Sequence, residues 1–266
     1  MSQVAVITGA ASGIGAGLAR KAHALGMRLV LADVSVEALQ ALARETGALA
    51  VVTDVASAES VELLAERAYA EYGQVDFLFN NAGVMAAGNS WEIESKRWRR
   101  AVDINLFGVL HGIRSFVPRM LEAKRPARII NTSSVGGFMS SPLMSPYSAT
   151  KFAVVALTES LRAEMELLGA PISVSLLAPG PVKTGIFRDP CGPEASDAVR
   201  GFVAQLVQMT DQYGISPEEL AERAFAGIAE NRFWLIPQPE ALDDGLRART
   251  DGILARATPK LPWAIQ

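Results

Sequence analysis

The chain has 266 residues, half of them hydrophobic and 20% charged, a balance for a packed globular protein rather than a disordered one. Its formal net charge of −3 offers no basic footprint for nucleic acid, and the cluster from Lys96 to Arg100 reads as a solvated helix face. A single cysteine, Cys191, excludes an internal disulfide, two histidines are too few for a zinc site, and no apolar run approaches the roughly 18 residues of a membrane span.

The expectation is a soluble, cytoplasmic protein with no metal, no membrane and no nucleic-acid partner. Without a Pro/Ser/Gly linker, low-complexity run or repeat, one domain over 1–266 is expected. The first residues already read as a strand rather than a signal peptide.

Apolar runs of strand length recur along the chain: "VAVITG" from Val4, "RLVLAD" from Arg28, "ALAVVTD" from Ala48, "VDFLFNNAG" from Val75, "ARIINTSS" from Ala127 and "ISVSLLAPG" from Ile172. Between them lie helical patterns at Gly13 to Leu25, Val36 to Glu45, Ser57 to Tyr72, Glu94 to Glu122 with a break, and Ser148 to Leu168. Unbroken apolar strands separated by amphipathic helices predict an α/β fold, a doubly wound, mainly parallel sheet with helices on both faces. After Gly180 come helical patterns at Glu194 to Gln212 and Pro217 to Glu230, then the short apolar "RFWLIP". A segment at about 186–215 follows a strand end, where ligands bind in such sheets, and is expected to form a substrate-binding lid. The tail at about 237–266 carries no motif.

The first strand runs directly into "TGAASGIG", Thr8 to Gly15. Gly9, Gly13 and Gly15 allow a tight turn and close approach of backbone to a pyrophosphate, and a helix opening at Ser12 and Gly13 turns its unpaired N–H groups toward it. Eighteen residues beyond Gly15, Asp33 closes the second strand, where a carboxylate accepts ribose hydroxyls and repels a 2′-phosphate. That favours NAD over NADP. Asp54, at the end of the third strand, is placed to reach the adenine edge.

Tyr147 and Lys151 sit four apart at the start of an otherwise apolar helix and share a face. A phenol with a pKa near 10 is a poor base, and an ammonium one turn away favours the phenolate, so the pair can move a base toward the working range. Spacing alone fits a structural pair on a solvent-facing helix equally well.

These residues resemble the short-chain dehydrogenase/reductase family up to about Ile236. The motifs stand in the family's order: "TGAASGIG", Asp54, "NNAG" at Asn80 to Gly83, Asn105 within "DINLFG", Ser134, "YSATK" at Tyr147 to Lys151, and "PGPVKT" at Pro179 to Thr184. The resemblance implies a seven-stranded Rossmann-type sheet with "RFWLIP" as last strand, and a homotetramer or homodimer. It also implies a catalytic set of Asn105, Ser134, Tyr147 and Lys151. Ser134 rather than Ser133 stands thirteen residues before Tyr147, as the family requires.

In that set Tyr147 is the acid/base, Ser134 holds the substrate oxygen, Lys151 binds the nicotinamide ribose, and Asn105 fixes a water leading from Lys151 to solvent. The implied cofactor contacts are Gly9, Ser12, Gly13, Ile14, Gly15, Asp33, Asp54, Val55, Asn81, Ala82, Gly83, Tyr147, Lys151, Pro179, Gly180, Val182 and Thr184, with Asn80 chiefly supporting the sheet. The activity implied is an NAD-dependent alcohol dehydrogenase or ketoreductase.

Val84, Met85, Gly136, Phe138, Met139, Pro142, Leu143, Met144, Phe187, Phe202, Val203, Leu206 and Met209 are candidates for the pocket rim, and their character points to a hydrophobic or aromatic secondary alcohol or its ketone. Two rivals are an NADP-linked ketone reductase, which Asp33 opposes, and a non-catalytic NAD-binding regulator, which the complete catalytic set opposes.

Overall fold

A computed structural model of the chain describes residues 2–259. Seven strands, β1 (Val4–Thr8), β2 (Arg28–Asp33), β3 (Leu49–Val52), β4 (Phe77–Asn80), β5 (Ala127–Thr132), β6 (Ile172–Leu177) and β7 (Trp234–Leu235), form one sheet in the order β3-β2-β1-β4-β5-β6-β7. Every pairing is parallel, so the mainly parallel sheet expected from sequence is parallel throughout. Nine α-helices accompany them among the described residues: α1 (Gly13–Ala24), α2 (Val36–Thr46), α3 (Ala58–Tyr72), α4 (Ser95–Val102), α5 (Gly108–Ala123), α6 (Ser145–Leu167), α7 (Asp197–Tyr213), α8 (Pro217–Ala229) and α9 (Asp243–Leu254).

Alternation along the strands sorts their side chains into two layers. Ala5, Ile7, Leu29, Leu31, Phe77 and Phe79 pack with α1, α2 and α8 through Leu18, Leu39, Leu42, Leu220 and Phe225. Their neighbours Val4, Val6, Val30 and Leu78 pack with α3, α5 and α6 through Leu64, Phe116, Met120 and Leu161. Both faces are therefore buried, which is why the strands read as unbroken apolar runs.

The strand order reverses between β1 and β4, which opens a crevice at the carboxyl ends of these strands. Buried polar links fix its walls. Asn80 Nδ2 donates to Asn131 Oδ1 at 2.9 Å, and Asn131 Nδ2 donates to Thr158 Oγ1 at 3.1 Å, joining β4, β5 and α6. At the opposite, amino end of the strands, Asp76 accepts from Val4 N at 2.8 Å and from Gln74 Nε2 at 2.9 Å, and pairs with Arg125.

Several boundaries differ from the sequence reading. The expected helix from 94 to 122 is interrupted by a π-turn at Asp103–Phe107, and α6 begins at Ser145, three residues early, because Pro146 is pre-set for a first helical turn. The helix expected from Glu194 starts at Asp197, where the Ser196 hydroxyl caps Val199 N at 3.4 Å. The tail, featureless by motif, forms a 3₁₀ turn at Pro239–Ala241 and then α9; Lys260 to Gln266 lie outside the described residues.

Candidate active site

The crevice contains a cavity of about 1350 Å³ that runs from the β1–α1 loop to the region between α6, α7 and α9. At one end, Gly9 and Gly13 take positive φ of 62° and 52°, conformations that favour glycine. A Cβ at Gly9 would stand 2.7 Å from Ala82 Cα, and one at Gly13 would stand 3.0 Å from Thr184 Cγ2. The loop is therefore a cradle shaped by close backbone approach. Ser12 precedes α1 in an extended conformation with no side-chain cap, so the positive end of the helix faces the cavity wall.

Asp33 pins this loop. Its Oδ2 accepts from Ala11 N at 3.0 Å and its Oδ1 from Ser35 N at 2.9 Å, which leaves each oxygen a second acceptor position on the cavity side. Asp54 lines the same end and accepts from Ala56 N at 3.0 Å. Asn81, an expected cofactor contact, lines this end of the cavity and is tied to β1: Nδ2 donates to Thr8 O at 3.0 Å, and Asn81 N donates to Thr8 Oγ1 at 3.0 Å.

At the other end Ser134, Tyr147 and Lys151 line the cavity together. Ser134 follows β5 and its Oγ accepts from Gly136 N at 3.1 Å. Neighbouring Ser133 turns away and donates to Lys151 O at 2.9 Å, tying β5 to α6. Lys151 is 3% exposed, and its ammonium donates to Thr132 O at 2.9 Å. Nζ stands 5.7 Å from the centre of the Tyr147 ring.

The effect on the phenol corrects the sequence expectation. Burial pushes Tyr147 above the usual tyrosine value, with the Ser134 hydroxyl acting in the opposite direction, and the ammonium does not reverse this. Burial likewise lowers Lys151 to about 8, so the cation favoured one turn away is itself penalised.

Asn105, fully buried within the π-turn, lies outside the cavity lining. Its Oδ1 accepts from Val84 N at 2.8 Å, while Nδ2 donates to Val84 O at 3.0 Å and Thr150 Oγ1 at 3.1 Å. The amide thus clamps the segment after "NNAG" to α6. A Cβ at Gly83 would stand 3.4 Å from both Asn105 Oδ1 and Lys151 Nζ, so the two side chains converge on one piece of backbone.

The remaining expected contacts, Ile14, Gly15, Val55, Ala82, Gly83, Pro179, Gly180, Val182 and Thr184, all line the cavity. Of the expected rim, Val84, Met85, Gly136, Met139, Met144, Phe187, Leu206 and Met209 line it. Phe138 does not; it turns outward to meet Trp234 edge-on at 5.7 Å. Pro142, Leu143, Phe202 and Val203 are also absent from the lining, with Leu143 and Phe202 packed in the apolar cluster behind Met85 and Met144. The sequence reading missed Ile186 and the wall formed by Ala241, Gly245, Ala248 and Ile253, since α9 carries no motif to signal it.

A phosphate cradle at a helix start, a carboxylate at the end of β2 and a hydroxyl, phenol and ammonium at the far end of one cavity fit a bound dinucleotide. The short chain dehydrogenase family model matches residues 3–190, and the chain belongs to that family. A short-chain dehydrogenase/reductase from Burkholderia phymatum, solved in complex with NAD, superposes with a TM-score of 0.94 at 38% identity, covering 99% of this chain and 98% of that one. The C alpha-dehydrogenase of Sphingobium sp. (strain NBRC 103272 / SYK-6) is 34% identical over 97% of this chain and 87% of its own length. The 1-deoxy-11-beta-hydroxypentalenate dehydrogenase of Streptomyces avermitilis is 32% identical over 89% of this chain and 85% of its own length. The protein is therefore an oxidoreductase of alcohols and ketones that uses a nicotinamide cofactor.

Proposed function

We propose that the protein is an NAD-dependent dehydrogenase of hydrophobic or aromatic secondary alcohols, reversibly forming the ketone. The observation that carries this reading is the single cavity holding Asp33 at one end and Ser134, Tyr147 and Lys151 at the other, with Met85, Met139, Met144, Leu206 and Met209 as apolar walls. When bound, the nicotinamide supplies the hydride acceptor for oxidation and the donor for reduction. The β1–α1 loop holds the pyrophosphate, Asp33 accepts the adenosine ribose hydroxyls, and Lys151 donates to the nicotinamide ribose.

Ser134 donates to the substrate oxygen and orients it. Tyr147 takes the hydroxyl proton as hydride leaves the carbinol carbon, and returns it in reduction. Because Lys151 is held by Thr132, its charge acts on the phenol across the ring rather than through a shared hydrogen bond. The Asn105 amide bonds Val84 and Thr150 and so holds the backbone beside Lys151 in place.

The segment from about 186 to 215, which contributes Ile186, Phe187, Leu206 and Met209 to the wall, acts as the substrate lid of a single 1–266 domain. Half-buried Val155 and Leu157 on α6, with Phe107 of the π-turn at 43% exposure, form an apolar surface suited to a second copy in a dimer or tetramer. No helix among the described residues is long and apolar enough to cross a membrane.

The test is a panel of hydrophobic secondary alcohols and ketones assayed with NAD and NADP by absorbance of the reduced nicotinamide. Turnover with NAD preferred is expected. Stronger selection of NADP would sink the role of Asp33, and NAD binding without turnover of any member would leave a regulator as the better reading.

A further inference from the structure

We infer that Gly245 of α9 is a specificity-determining residue that sets the width of the substrate end of the cavity through Met139. The inference rests on the alcohol–ketone reading above and assigns the wall that senses substrate bulk.

Glycine at 245 has no backbone reason. The positive-φ glycines of the chain are Gly9, Gly13, Gly26, Gly47, Gly73, Gly88 and Gly169, so Gly245 holds an ordinary helical conformation that any residue adopts. Gly245 is the third residue of α9 and exposed, where an ordinary side chain is tolerated, and α9 has no buried residue whose packing would require a glycine there. The reason is steric: a Cβ at 245 would overlap the Met139 sulfur and stand 3.2 Å from its methyl carbon. At Gly252, on the same helix, a Cβ would meet nothing within 4 Å.

Met139 and Gly245 both line the cavity that contains Ser134 and Tyr147. The Met139 backbone is fixed by its N–H bond to Val135 O at 3.1 Å, just after a 3₁₀ turn at Val135–Gly137 that Ser134 caps. Its unbranched thioether is the part free to move. Because Met139 and Gly245 face the same cavity, a thioether displaced from α9 is taken to enter it. A glycine at 245 thus lets Met139 lie back against α9 and keeps the cavity wide. Any larger residue there narrows it.

The test uses the full chain as wild type, Gly245→Ala, Met139→Ala and the double variant, with NAD and two secondary alcohols, methyl phenyl carbinol and methyl naphthyl carbinol. The readout is the ratio of kcat/KM for the naphthyl over the phenyl alcohol. In Gly245→Ala this ratio should fall about tenfold, within the range a small steric change in an apolar pocket produces, and Met139→Ala in the same chain should restore it. An unchanged ratio, or a fall that removal of the Met139 side chain does not relieve, overturns the inference.

A crystal structure of Gly245→Ala separates this claim from the substrate reading. Met139 swung into the cavity supports it, and Met139 unmoved with α9 shifted away overturns it. Failure of wild type to oxidise either alcohol counts against the substrate reading alone, and the position of Met139 still decides the steric claim.

Discussion

Lys151 and Tyr147 share a helix face, yet they do not share a hydrogen bond: Nζ donates to Thr132 O at 2.9 Å and lies 5.7 Å from the centre of the tyrosine ring. Burial raises the Tyr147 pKa above its usual value, with the Ser134 hydroxyl offsetting part of that cost. Alcohol oxidation needs the phenolate, so kcat/KM should rise with pH through the neutral range and continue upward into the alkaline range. Ketone reduction needs the phenol and should hold level across neutral pH. Parallel pH profiles in the two directions measure this, and an oxidation rate already level in mildly acidic solution would contradict it.

The same burial sets a stability prediction. Lys151 ionises at about 8 in the fold against 10.5 unperturbed, so the unfolded chain binds more protons between those values and stability rises with pH across that window. Below about pH 8 the whole penalty is felt, roughly 3 kcal/mol before its hydrogen bond to Thr132 is counted. Lys151→Met should therefore melt higher than wild type at neutral pH while losing nearly all turnover, and its advantage should shrink as pH rises toward 10.5. Thermal melts at several pH values check both signs.

Asp33 closes β2, holds the β1–α1 loop through Ala11 N and accepts locally from Ser35 N. Asp33→Ser keeps a short acceptor but removes the charge that repels a 2′-phosphate. The ratio of kcat/KM for NAD over NADP should fall by about a hundredfold or more, the scale of losing a charge-assisted hydrogen bond together with a repulsion. Saturation curves for both cofactors measure the ratio, and an unchanged value would remove Asp33 from cofactor selection.

Asp76 is buried at the amino end of β4, where it accepts from Val4 N and Gln74 Nε2 and pairs with Arg125. Asp76→Ala leaves a buried backbone donor at the edge of β1 unsatisfied and should cost about 2–4 kcal/mol in urea unfolding. NAD affinity of the folded fraction should stay close to wild type, because the residue lies at the opposite end of the strands from the cavity.

The sheet was legible because both of its faces are buried: Val4 to Thr8 and Arg28 to Asp33 could only be read as unbroken apolar strands. The glycine loop and the Tyr147–Lys151 pair were equally plain, since their spacing follows from helix geometry. What stayed hidden depends on contacts between distant segments. Nothing local in "DINLF" announces a π-turn, because the turn follows from Asn105 bonding to Val84 and Thr150. Phe138 reads as a pocket residue but finds Trp234, 96 positions further along. Tail residues Ala241, Gly245 and Ala248 form a cavity wall by being small, and small residues give no motif. The tyrosine shift was misjudged because helix spacing gives the distance of a charge and not the burial around it.

The most direct test of the account is Tyr147→Phe, assayed with NAD and methyl phenyl carbinol beside a titration of NAD binding. Removing one hydroxyl leaves the ring to pack as before. Turnover should fall by at least about a thousandfold, the scale of losing a general base together with its share of orientation, while NAD affinity stays within a few-fold of wild type. Turnover retained within tenfold of wild type would show that the proton leaves by another route, and the role given to Tyr147 would be wrong.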